Sequence, residues 1–221
     1  MTMNRRLCLA ALLLAGFTHL LVAQQEPDAR QIKQEREQAE LDAPKLVEVL
    51  DVKPGMTIAD IGSGGGAMTV VLGKWNTSGH VFATDITPHA LRWTRDYVKQ
   101  EGLTNVTVIE GAAAATNLPD ACCDAAFLRH VYHHITDIAA FNKSLHASLK
   151  PGGRLAIIDF EAKPNPAEIP KGVPANRLGH GIPASVVIGE VTAAGFTHLR
   201  TIDAWPPGDK RPTLHLTLFR K

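Results

Sequence analysis

The run Asp60-Ile61-Gly62-Ser63-Gly64-Gly65-Gly66 restricts the folds open to this chain more than any other stretch. It closes the apolar, strand-like segment Thr57 to Ile61 and opens onto a helix-length segment beginning near Gly66. Glycines at such a junction let the backbone take positive φ and approach a ligand closely, while the helix that follows presents free N–H groups at its first turn. In an open α/β sheet, ligands bind at that place, outside the carboxyl ends of the strands.

Downstream, apolar runs alternate with amphipathic helix-length segments, the pattern of a parallel sheet covered on both faces. The expected order begins with a lead-in helix over 44–50, stopped by Pro54-Gly55, and a first strand over 57–61. A strand over 80–84 then feeds a helix over 88–100, with Pro at its first turn. Strands over 105–109 and 125–129, a helix over 136–149 and a strand over 154–159 follow. A Pro-rich stretch from Lys163 to Pro183 leads to a helix over 184–194, closed by Gly195, and to strands over 197–203 and 213–219. The last connection is too short for a crossover helix, so these two strands should pair antiparallel. The fold class is therefore α/β: a doubly wound, mostly parallel seven-stranded sheet with an antiparallel last strand. A chain of 221 residues holds one such domain, over 42–221, and not two domains plus a leader.

Residues 1–23 read as a signal peptide or membrane anchor, because Arg5 and Arg6 precede an apolar run from Leu7 to Ala23 and the chain turns polar at Gln24. Residues 24–41 read as a charged linker or solvated helix without chemistry of its own. The domain is thus expected to be exported to the periplasm or anchored at the membrane, and a cytoplasmic domain behind an anchor stays open. A formal net charge of +1 with no basic stripe argues against a nucleic-acid partner, so any membrane contact would come through the leader alone. Cys8 lies in the leader and Cys122 and Cys123 are adjacent, which rules out a disulfide framework and zinc-finger spacing.

Taken alone, Gly62-x-Gly64-x-x-Ala67 also satisfies a dinucleotide fingerprint, and Asp85 at the end of the second strand suits a ribose diol in either case. Three further features stand with it: Asp60 immediately before the turn, the run Leu149-Lys150-Pro151-Gly152-Gly153-Arg154-Leu155, and the final antiparallel pair. In that order, from about Lys45 to the C-terminus, the chain resembles the class I S-adenosylmethionine-dependent methyltransferases. Val131-Tyr132-His133-His134 and Ile157-Ile158-Asp159-Phe160 resemble a bacterial subgroup often preceded by a leader.

The resemblance implies S-adenosyl-L-methionine as cofactor. Asp60, Gly62, Gly64 and Gly66 would line its methionine end, and Asp85 would accept hydrogen bonds from its ribose hydroxyls. Family members usually follow the third strand with Gly-Asp, the Asp meeting the adenine amino group; here the pair is Gly111-Ala112, with Glu110 and Asn117 the nearest polar residues. The segment after the fourth strand is where the family faces both cofactor and substrate. His130, Tyr132 and His134 are therefore the candidate catalytic set, with one histidine as base, and Arg129 would hold the cofactor or anchor the strand end. For each histidine, capping or packing against the next helix is the alternative. His130 and His134 have i, i+4 spacing, but no third ligand stands near in sequence and no metal is expected. Asp159 and the loop residue His180 are directed toward the same cleft. The implied activity is methyl transfer to a small-molecule acceptor, quinone-like or otherwise hydrophobic. Two alternatives stay open: an NAD(P)-dependent oxidoreductase using the same glycine turn, and a non-catalytic envelope protein that keeps the fold. Ala112 and the leader both feed the second, since this cofactor is made in the cytoplasm.

Overall fold

The computed structural model describes residues 29–163, 172–174, 177, 180–208 and 214–221. The leader and most of the Pro-rich stretch lie outside these residues. Among the described residues no helix is long and apolar enough to cross a membrane.

Seven strands form one sheet: β1 (Thr57–Ile61), β2 (His80–Asp85), β3 (Val106–Glu110), β4 (Cys123–Arg129), β5 (Leu149–Asp159), β6 (Thr197–Trp205) and β7 (Leu214–Arg220). Their spatial order is β3-β2-β1-β4-β5-β7-β6. The pairs among β1 to β5 are parallel, while β7 enters antiparallel between β5 and β6. The helices are α1 (Ala29–Val49), α2 (Ala67–Trp75), α3 (Pro88–Gln100), α4 (Ile138–Ser148) and α5 (Ala184–Ala193).

Alternation along the central strands builds two cores. On one face Ile58, Ala125, Phe127, Ala156, Ile158, Leu216 and Leu218 pack with Met68 and Leu72 of α2 and Leu46 of α1. On the other, Ile61, Ala126, Leu128, Leu155, Ile157 and Phe219 pack with Phe141 and Leu145 of α4 and Val187 and Val191 of α5. Strands buried on both sides must be apolar throughout, which explains the unbroken runs at β4 and β5.

The lead-in helix departs from expectation. In place of a charged linker or solvated helix over 24–41 followed by a separate helix over 44–50, one helix runs from Ala29 to Val49 with Pro44 inside it. Ala39, Ala43 and Leu46 recur at helical spacing and are buried, so packing against α2 outweighs the hydrogen bond that Pro44 cannot donate. The charged residues occupy the outer face, where Arg36 meets Glu40 at 3.0 Å and reaches Glu101 at the end of α3 at 3.6 Å. Cys122 and Cys123 are free thiols.

Candidate active site

The glycine turn sits at the carboxyl end of β1, and its glycines serve different ends. Gly62, Gly64 and Gly66 have φ of 77°, 54° and 80°, in the left-handed region that glycine adopts without penalty. A Cβ on Gly62 would lie 2.3 Å from a methyl of Val131, and one on Gly66 would lie 2.9 Å from Thr94. Those two glycines let the segment after β4 and helix α3 close onto the turn. Gly64 has nothing among the described residues within 4 Å of such a Cβ, so its open side is a surface that a ligand can approach.

Asp85 braces this turn. Its Oδ2 accepts the Gly64 N–H at 3.0 Å, and its Oδ1 accepts the N–H and hydroxyl of Thr87 at 2.9 and 2.7 Å. A carboxylate has about four lone-pair sites, so a further donor can still be received. Thr94 donates to the Gly64 carbonyl at 2.9 Å, and the N–H groups of Gly62 and Ser63 both reach the Thr84 carbonyl. Asp60 lies beneath the turn, buried, and accepts the Thr69 hydroxyl at 2.6 Å. Desolvation by burial pushes its carboxyl up to about 7, against the opposing pull of the Thr69 hydrogen bond.

Beyond β3 the chain makes a tight turn in which Ala112 and Ala115 exchange backbone hydrogen bonds of 2.8 and 3.2 Å. Asn117, with φ of 56°, folds its amide back to donate to the Glu110 carbonyl at 2.9 Å. It holds the turn shut, while Ala112 stays exposed.

After β4 the predicted site residues separate. Arg129 takes the second of its two expected roles: its Nη2 lies 3.0 Å from Asp42 of α1, tying the strand end to that helix. His130 adopts φ of 58°, donates its N–H to the Ile158 carbonyl and turns its ring edge-on toward Phe160 at 6.0 Å. That left-handed residue breaks any helix, so the i, i+4 relation of His130 to His134 has no structural meaning here. Residues Tyr132–His134 form a short 3₁₀ turn instead.

Tyr132 does not line the cleft, contrary to expectation. It is fully buried; its hydroxyl accepts from Asn142 at 2.8 Å, its carbonyl accepts from Arg177 at 3.0 Å, and the Arg177 guanidinium lies over its ring at 5.1 Å. Burial pushes its phenol above the ordinary range, which is the opposite of what a base or nucleophile needs.

His133 had no assigned role and proves the best connected of the group. Its Nδ1 lies 2.8 and 3.0 Å from the two oxygens of Asp159, which also accepts the His133 and Phe160 N–H groups. The His134 ring lies tilted against it with centroids 3.9 Å apart, and His180 meets it edge-on at 4.9 Å. Desolvation brings His130 and His134 down to about 4, so both are neutral at pH 7. Arg177 was missed altogether: buried, it bonds Glu190 of α5 at 3.0 Å and the Tyr132 carbonyl at 3.0 Å, and so ties α5 to the 3₁₀ turn.

Strand order decides between the cofactor readings. The dinucleotide-binding sheet runs 3-2-1-4-5-6, whereas here the last strand returns antiparallel between β5 and β6. Residues 59–157 match the family model described as Methyltransferase domain. Over those residues the chain is similar to methyltransferase domains, and its sheet has the methyltransferase fold. It is 30% identical over 116 residues to the ubiquinone/menaquinone biosynthesis C-methyltransferase of Shewanella oneidensis, a match covering 52% of this chain and 46% of that protein. The chain thus spans about half the length of the curated relatives it matches. A crystal structure of a SAM-dependent methyltransferase from Aquifex aeolicus superposes with a TM-score of 0.67 at 24% identity, covering 88% of this chain and 99% of the other. The [4+2]-cyclase SpnF superposes with a TM-score of 0.66 at 17% identity over 89% and 85% of the two chains. The methyltransferase fold by itself therefore does not specify the acceptor or the reaction. Neither the nicotinamide nor the non-catalytic alternative finds support in these matches.

Proposed function

We propose that this methyltransferase domain moves a methyl group from S-adenosylmethionine to a small hydrophobic acceptor between the glycine turn and the segment after β4. One observation carries the reading: Gly64 presents an open, left-handed backbone beside a carboxylate that retains acceptor capacity. A Cβ would fill that cradle, and Asp85 offers the acceptor that a ribose diol requires, so the residues present fit the cofactor. When bound, the cofactor supplies an already activated methyl sulfonium. The chain's contribution is alignment and exclusion of water, an effect worth about 7–11 kcal/mol in well-oriented systems. Val131 closes one wall against Gly62, and His130 and His134 present neutral imidazoles to a polar acceptor atom.

A quinone-like acceptor is favoured by the curated relative named above, a ubiquinone/menaquinone biosynthesis C-methyltransferase. Calorimetric titration of the full chain with S-adenosylhomocysteine and, separately, with NAD and NADP tests the assignment. Saturable binding of the first alone is expected, and binding of a dinucleotide alone overturns it. Label transfer from the methyl-tritiated cofactor to a panel of quinols and phenols then selects the acceptor class. The leader is proposed to place the domain outside the cytoplasm, and a C-terminal phosphatase fusion active only after export is the expected outcome.

A further inference from the structure

His133, His134 and His180 converge where the 3₁₀ turn after β4 meets the residues just before α5. Each offers one ring nitrogen, and the three nitrogens lie within 4.8 Å of one another. His133 is buried, His180 half-buried and His134 exposed, so the cluster is open on one side. Imidazole nitrogen is a ligand suited to zinc, copper, iron and nickel.

A second observation points to a ligand independently of this convergence. With Nδ1 of His133 held against Asp159, Nε2 is the ring nitrogen left for a ligand. That Nε2 is buried and has no hydrogen-bond partner among the described residues, in a residue only 3% exposed. A carboxylate on the far nitrogen of an imidazole is what fixes tautomer and ring direction at protein metal sites.

The third ligand is held as firmly. His180 exchanges two backbone hydrogen bonds with Lys163, at 2.8 and 3.1 Å, and the next residue but one, Ile182, donates to the Phe160 carbonyl. Gly181 has φ of 106°, and a Cβ there would lie 2.8 Å from the Phe160 ring, so glycine lets the loop press onto that ring. Phe160 in turn contacts His133 and His180 with centroids 4.9 and 5.1 Å away.

We propose that His133, His134 and His180 bind a divalent first-row transition ion, with zinc the best fit, leaving at least one coordination position open. Zinc–nitrogen bonds of about 2.0–2.1 Å in a tetrahedral site put ligand nitrogens roughly 3.4 Å apart, so the three close by about an ångström on binding. Three protein ligands and an open position are the arrangement of catalytic rather than structural zinc. An acceptor bound there through a hydroxyl loses its proton to water as the oxygen–metal bond forms, with no change of oxidation state. That last step rests on the methyltransferase reading, whereas metal uptake does not.

The test uses the full chain without an affinity tag, stripped with chelator and titrated calorimetrically with zinc sulfate. One saturable ion per chain is expected, and cobalt should give the visible bands of a tetrahedral site. His134→Ala and His180→Ala should each weaken binding roughly a hundredfold, and Asp159→Asn roughly ten- to hundredfold. His146→Ala, in α4 against Phe196, should bind as the parent does. Thermal melting of each variant confirms that it is folded; His134 is exposed and its replacement leaves the core intact. No saturable site in the parent, or parent-like binding by folded His134→Ala and His180→Ala, overturns the inference. S-adenosylhomocysteine titration of the same samples separates the two claims: cofactor binding without metal uptake sinks only this one.

Discussion

Replacing Gly62 by alanine tests whether the glycines of the turn are there for their neighbours or for a ligand. The residue has φ of 77°, and its new Cβ would lie 2.3 and 2.8 Å from the two methyls of Val131. A left-handed conformation costs an L-residue about 1–2 kcal/mol, and forcing a methyl into a filled space costs about 1–3 kcal/mol more. Gly62→Ala should therefore destabilise by about 2–5 kcal/mol. Gly64→Ala, with φ of 54° and nothing within 4 Å, should lose only the conformational part. Adding Val131→Ala to Gly62→Ala removes both methyls and leaves the Val131 Cβ at 3.1 Å, so the pair should couple favourably by about 1–3 kcal/mol. Urea unfolding followed by circular dichroism reads this as a midpoint shift at constant slope. For S-adenosylhomocysteine affinity in folded protein the expectation is different, because only the methyl at position 64 enters the open space above the turn. A Gly62→Ala variant no less stable than Gly64→Ala, or an absence of coupling to Val131, would refute the division of roles.

Asp85→Asn would turn an amide toward the N–H groups of Gly64 or Thr87 and remove the charge offered to the ribose; calorimetry should find S-adenosylhomocysteine bound roughly ten- to hundredfold more weakly. Tyr132→Phe should cost about 1 kcal/mol of stability through the hydrogen bond lost to Asn142 and leave the methyl-transfer rate unchanged; a large fall in kcat would restore the residue to the cleft. Asp60 carries a pH signature. Its folded pKa of about 7 stands above the ordinary 3.8, so the folded state binds the proton more tightly and stability falls as pH rises through that window. The loss amounts to roughly 4 kcal/mol and is complete above pH 7. Urea midpoints of Asp60→Asn against the parent from pH 4 to about 7.5 should show the parent alone carrying that slope.

Strands β1, β2, β4 and β5 were legible because burial on both faces demands unbroken apolar runs, and the glycine turn was legible because positive φ leaves few residue choices. The N-terminal helix was divided in two, its first part read as solvated, because Pro44 looks like a start and the inward residues Ala39 and Ala43 are too small to raise a hydrophobic signal beside Arg36, Glu37 and Glu40. The site was found at the right sheet edge and sorted wrongly within it, for a geometric reason. In a 3₁₀ turn successive side chains leave the axis about 120° apart. Tyr132 therefore goes down onto Asn142, His133 sideways to Asp159 and His134 outward. Residue type alone does not say which of three neighbours takes which direction. Strand register narrows the choice. In the parallel β4–β5 pair Arg129 stands opposite Ile158, which sets Asp159 one step further along, beside whatever follows β4. A buried carboxylate placed there must find donors, and the turn offers it the backbone N–H and ring of His133. His180 had no comparable signal. It comes from a Pro-rich loop without periodicity, and its backbone pairing with Lys163, just beyond β5, helps bring it to the same place. The three-histidine cluster is thus a product of tertiary structure, assembled from one turn and one loop that share no sequence pattern.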